Sequence, residues 1–140
     1  MASQVDRDGL GEQSDDRSEW IGRRAALVYR VLITVAAALL FNQAILAGQF
    51  MSGTFEALEF HRLGASASGI IALLATASAG LARFRKRYAL WPTLLTASLF
   101  VAIQVEEFAG EQRMLAVHIP LGVAIIMAVS WLTVWAWRES

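Results

Sequence analysis

The chain contains two histidines, His61 and His118, and no cysteine. Each histidine opens a short run that leads into an apolar segment: His61-Arg62-Leu63-Gly64 and His118-Ile119-Pro120-Leu121-Gly122. Two neutral imidazoles can hold one haem iron from both sides, which gives a six-coordinate centre suited to one-electron transfer. Without thiols the chain has no disulfides, thiolate metal sites or thiol catalysis. Gln43 and Gln104 fall near the same ends of the apolar segments. Each could hydrogen-bond between helices or orient an imidazole N–H. Arg62 and Arg113 are placed to pair with haem propionates. Two other readings stand beside haem ligation. Both histidines could be partly hydrated interfacial residues at helix starts. Alternatively, with Glu56 or Glu59, they could form an open zinc site, provided a loop carboxylate converges on them.

The elements that must position these side chains are four apolar segments. The chain has 140 residues, 56% of them hydrophobic, and a mean hydropathy of +0.49. That composition points to a small polytopic membrane protein, since about 20 apolar residues are needed for each helical crossing. The spans fall at about 25–50, 63–82, 89–107 and 115–137, within a bundle of residues 23–138. Residues 1–22 read as a disordered acidic tail: Asp6, Asp8, Glu12, Asp15, Asp16 and Glu19 stand against Arg7 and Arg17 over its first nineteen residues. The acidic start has neither the basic region nor the short apolar core of a signal peptide.

Charge sets the expected orientation. Arg23-Arg24, the run Arg83-Phe84-Arg85-Lys86-Arg87 and Arg138 mark one side, and Glu56, Glu59, Glu106, Glu107 and Glu111 dominate the other. The positive-inside rule then places both termini in the cytoplasm of a bacterial cell (inner) membrane. Trp91, Trp131, Trp135 and Trp137 form an inner aromatic belt, and Arg30 snorkels to the inner interface. The basic residues form short juxtamembrane clusters that suit anionic lipid, not nucleic acid.

The two halves share the order Gln, Ala-Gly, His, Leu-Gly, which points to a duplicated helical hairpin. His61 lies 22 positions before Arg83, and His118 lies 20 before Arg138. Both imidazoles therefore stand roughly 30 Å from the basic side, level with each other on alternate, parallel helices. Gly, Ala and Ser recur through the second span, so it should pack closely against its neighbours. Glu106 and Glu107 read as part of a solvated acidic rim.

This arrangement resembles the four-helix unit of the heme A synthase family and related small b-type cytochrome-like membrane proteins of actinobacteria. The resemblance rests on His61-Arg62, His118, and Gln43 with Ala47-Gly48, and it covers about residues 25–137. It implies a bundle with one histidine at the outer end of its second helix and one at the outer end of its fourth, both ligating haem. Where the family's catalytic half carries an acidic residue three positions before the first histidine, this chain has Leu58, with Glu56 and Glu59 on either side.

The expectation is an all-α bundle of four transmembrane helices that binds haem b through His61 and His118, for electron transfer or haem handling. It would work in the lipid bilayer beside a respiratory-chain or haem-pathway membrane protein. One alternative is a heme A synthase-like oxidoreductase acting as a homodimer, with Glu56 or Glu59 as acid/base. Another is a haem-free accessory or scaffold subunit.

Overall fold

The computed structural model describes the backbone of residues 2–85 and 87–139, and the side chains of 16–85 and 87–139. The described residues form four α-helices: α1 (Ala2–Met51), α2 (Ala57–Phe84), α3 (Leu90–Glu111) and α4 (Leu115–Arg138). Each is long and apolar enough to cross a membrane. The third helix runs on through Glu106 and Glu107 to Glu111, so the apolar stretch that looks short in sequence gains its length from polar residues at its end.

The expected acidic tail falls largely on residues whose side chains lie outside the description. From Asp16 onward the chain is helical and continuous with the span. Glu19 pairs there with Arg23 at 3.2 Å, and the Arg85 guanidinium donates to Ser18 Oγ at 3.3 Å.

Each helix packs against its two neighbours in a closed ring: α1 on α2, α2 on α3, α3 on α4, and α4 back on α1. Among the described residues the diagonal pairs, α1 with α3 and α2 with α4, make no close backbone contact. Side chains must therefore bridge the centre. The core is built from one face of each helix at helical spacing. Tyr29, Ile33, Ala36 and Leu40 line α1, Ala72, Ala75, Ala79 and Ala82 line α2, and Ile125, Val129, Leu132 and Ala136 line α4. The alanine stripe of α2 lets α1 approach closely, and that pair is the most extensively packed. Large apolar side chains such as Leu27, Val31, Leu73, Val101 and Met127 point outward, the arrangement a lipid surround requires.

The two ends of the ring differ. Near the Arg83–Arg87 turn, Tyr29, Tyr88, Trp135 and Trp91 form a chain of ring contacts with centroids 4.5–5.6 Å apart. There the buried hydroxyl of Tyr29 meets Thr96 Oγ1 at 3.1 Å. At the opposite end, none of residues 115–124 of α4 is buried. The apolar core stops short of this end, and polar side chains take over.

Candidate functional site

The histidine end is closed by two tight turns. The α1–α2 turn uses Gly53 at φ 99°, and the α3–α4 turn uses Arg113 at φ 57°. A left-handed residue is cheap for glycine and costs of order 1–3 kcal/mol for arginine, so the second turn is held by its surroundings. Backbone bonds supply that hold: Arg113 N–H donates to the Gly110 carbonyl at 3.0 Å, and Met114 N–H to the Ala109 carbonyl at 2.8 Å. These turns place His61 just inside the start of α2 and His118 just inside the start of α4.

The imidazoles meet across the diagonal. Their ring centroids stand 6.1 Å apart, with planes at 75°. Each ring is anchored by the helix that precedes its own. His61 Nδ1 bonds the Gln43 carbonyl of α1 at 3.1 Å, and His118 Nδ1 bonds the Glu106 carbonyl of α3 at 3.0 Å. A carbonyl oxygen only accepts, so Nδ1 carries the proton in both rings, and Nε2 keeps its lone pair in the neutral imidazole. Metal-binding histidines are commonly fixed in this way, with the other ring nitrogen tied to a carbonyl or carboxylate. His118 has both kinds of partner, because the Glu106 carboxylate Oε1 also lies 2.9 Å from Nδ1.

Glycines make room for these groups. A Cβ at Gly110 would sit 2.9 Å from His118 Nδ1 and Cε1, and one at Gly122 would sit 3.3 Å from Glu106 Oε1. A Cβ at Gly64 would overlap the Gln43 amide. Gly64 and Gly122 follow His61 and His118 by three and four residues, about one helical turn, and are the Leu-Gly of each repeat in the sequence.

The 6.1 Å between the ring centroids is of the size that two imidazoles on one haem iron would need. Two iron–nitrogen bonds of about 2 Å, plus a ring radius of about 1 Å on each side, add up to roughly 6 Å between imidazole centres. Among the described residues no group of three His, Asp or Glu side chains could hold a metal ion, so the zinc alternative lacks its third ligand.

The other expected residues divide. Gln43 belongs to the site through its carbonyl. Its side-chain amide is buried beside Gly64 with no hydrogen-bond partner at either atom among the described residues. Gln104 does not match it. Its side chain lies over Gly69 in a cleft between α2 and α3, and the residue that does for His118 what Gln43 does for His61 is Glu106, two positions on. Counting from the common Gln of each half therefore misses the register. Glu106 is half-buried against His118, and Glu107 accepts a hydrogen bond from Ser66 Oγ at 2.8 Å, so neither is simply a solvated rim.

Arg62, Glu56 and Glu59 line a separate surface cavity of about 430 Å³ with Phe55, Leu58 and Leu63. Neighbouring positions on a helix point in different directions, so adjacency to His61 in sequence does not bring Arg62 to the imidazole pair. Arg113 is exposed in its turn. Among the described residues neither arginine has an ion-pair partner.

Comparison of the chain with protein-family models, with characterised proteins and with solved structures finds no match to any of them.

Proposed function

We propose that this chain is a multi-pass inner-membrane protein that binds one b-type haem through His61 and His118, for electron transfer or haem handling. The observation that carries the reading is the matched pair of imidazoles. They are 6.1 Å apart, and each has Nδ1 tied to a main-chain carbonyl of the preceding helix. A structural histidine needs only one satisfied nitrogen. Two neighbouring histidines with the same nitrogen engaged keep two Nε2 lone pairs that a common acceptor could use.

The haem would supply one-electron chemistry. The chain's own residues supply position. The Gln43 and Glu106 carbonyls fix the ring orientations, Gly64 and Gly122 make room for those two residues, Gly110 makes room for the His118 ring, and the unpaired Gln43 amide offers a hydrogen bond at the site's edge. The repeated carbonyl–imidazole bond supports descent from a duplicated hairpin. The charge pattern supports cytoplasmic termini and an extracytoplasmic site. Glu56 and Glu59 face a different cavity, which favours a haem carrier over a haem-modifying enzyme. The bilayer is the immediate partner, and a respiratory or haem-pathway membrane protein is the proposed neighbour.

A reduced-minus-oxidised absorbance spectrum of the purified protein tests the reading. The expected result is a Soret band and a sharp α band in the wild type, both lost in His61→Ala and in His118→Ala. A wild-type protein that shows neither band when made with ample haem overturns the proposal.

A further inference from the structure

A second site lies on the flank of the bundle. Between α2 and α3 runs a cleft of about 220 Å³, open to its surroundings. One end is polar: Ser66 Oγ donates to Glu107 Oε1 at 2.8 Å across the two helices, and the Gln104 amide lies alongside. The other end is apolar and is formed by Ile70, Leu73 and Phe100. Gly69 forms the floor, where a methyl group would come within 2.6 Å of Gln104 Oε1.

Gln104 is the unexpected residue. It is exposed, seven positions from the end of α3, about 10 Å along a helix that is only slightly longer than a hydrocarbon core. Among the described residues its amide has no hydrogen-bond partner. An unpaired amide facing lipid is costly, and intramembrane polar groups ordinarily face a partner or a cavity. Here the cavity is the cleft.

The dimensions and chemistry of the cleft limit its occupant. Pockets that enclose a whole ligand measure about 300–1,000 Å³, so this one takes only a head group whose remainder stays in the bilayer. The Ser66 hydroxyl proton is committed to Glu107, which leaves carboxylate acceptor capacity and an amide that both donates and accepts. A head that carries hydroxyl groups on a flat ring matches this set, with Phe100 against the ring face. We propose that the cleft binds the head of a membrane-soluble hydroquinone, with its apolar tail along Ile70 and Leu73. This inference stands apart from haem ligation and concerns binding alone.

The test is photolabelling of the full chain in lipid vesicles with an azido-decylhydroquinone, with unlabelled decylhydroquinone as competitor and peptide mapping as readout. Label is expected on residues 66–73 and 100–107, and competitor should remove it. Gln104→Leu deletes the amide and should cut labelling about tenfold, the loss typical of one well-placed hydrogen bond. Ile70→Trp fills the apolar end, leaves every polar group in place, and should lower labelling as much. Both changes lie on the outer surface, and helical circular dichroism checks that the bundle is intact. Label spread evenly over the lipid-facing sides of all four helices overturns the proposal. So does labelling unchanged in both variants, or cross-linking of two copies through this cleft.

Discussion

Gly110→Ala is a small change with a calculable consequence. The new methyl carbon would sit 2.9 Å from His118 Nδ1 and Cε1, where ordinary contact begins at 3.4 Å. The ring must therefore retreat by about half an ångström, since the α3 backbone that carries position 110 is fixed by its helical bonds. That retreat acts on a ring already held at 3.0 Å to the Glu106 carbonyl and 2.9 Å to its carboxylate. Stretching either bond by that amount takes it to the edge of useful hydrogen bonding. It also exceeds the roughly 0.2 Å within which a metal–ligand distance must be met. On the proposed haem ligation, haem affinity should fall about 10- to 100-fold, the usual cost of disturbing a ligand's orienting partners. Fold stability should fall by about 1–3 kcal/mol for local overpacking, which leaves the bundle assembled.

The assay is haem titration of haem-depleted protein in detergent, followed by the Soret change, with helical circular dichroism on the same samples. Gly48→Ala is the control. It makes the same chemical change in α1 where no atom lies within 4 Å, and it should leave affinity unchanged while stabilising the helix by up to about 1 kcal/mol. Wild-type affinity in Gly110→Ala would refute the idea that the His118 position carries binding. Equal losses in the two variants would refute a local steric cause.

Three further outcomes follow from the packing. Tyr29→Phe should cost less than Thr96→Val. After the first change Thr96 keeps its 2.7 Å bond to the Pro92 carbonyl, whereas the second strands a fully buried tyrosine hydroxyl at about 1–2 kcal/mol, readable as a lower unfolding temperature in detergent. Gln43→Met removes two buried unpaired polar atoms and keeps the carbonyl that holds His61. It should stabilise haem-free protein by about 1–3 kcal/mol while weakening haem binding, a split that thermal unfolding with and without haem would expose. Ala79→Leu forces a larger side chain into the fully buried α1–α2 contact. It should cost more than about 2 kcal/mol or prevent assembly, whereas Leu73→Ala on the outward face should be close to neutral by the same measurement.

The helices and the level of the two histidines were legible in sequence because both depend on local quantities: apolar length, helix rise and the turns between spans. The partners of the histidines were not. Gln43 and Glu106 act through main-chain carbonyls, which every residue possesses, so side-chain identity carries no signal for that role. Their separations from the histidines, 18 and 12 positions, differ because the turns differ in length and because the carbonyls lie at different distances from their helix ends. A repeat read from side-chain type therefore selected Gln104, whose amide looks like Gln43 but serves another surface. Arg62 lines a cavity apart from the imidazoles for a related reason. Adjacency in sequence means divergence on a helix, and only spacings of three and four bring side chains to one face.

The glycines connect the two scales. Gly64 and Gly122 follow their histidines by about one turn, and each admits the residue whose carbonyl fixes that histidine, Gln43 in one half and Glu106 in the other. A side chain at either position would meet the Gln43 amide or the Glu106 carboxylate before it touched the imidazole itself. The short run that begins at each histidine thus carries a packing instruction: the glycine one turn later makes room for the residue whose carbonyl holds the ring. At the opposite end of the ring, alanines and aromatic rings close the core. Apolar packing is thus concentrated towards the aromatic end of the ring, and the polar groups that hold the histidines lie at the other.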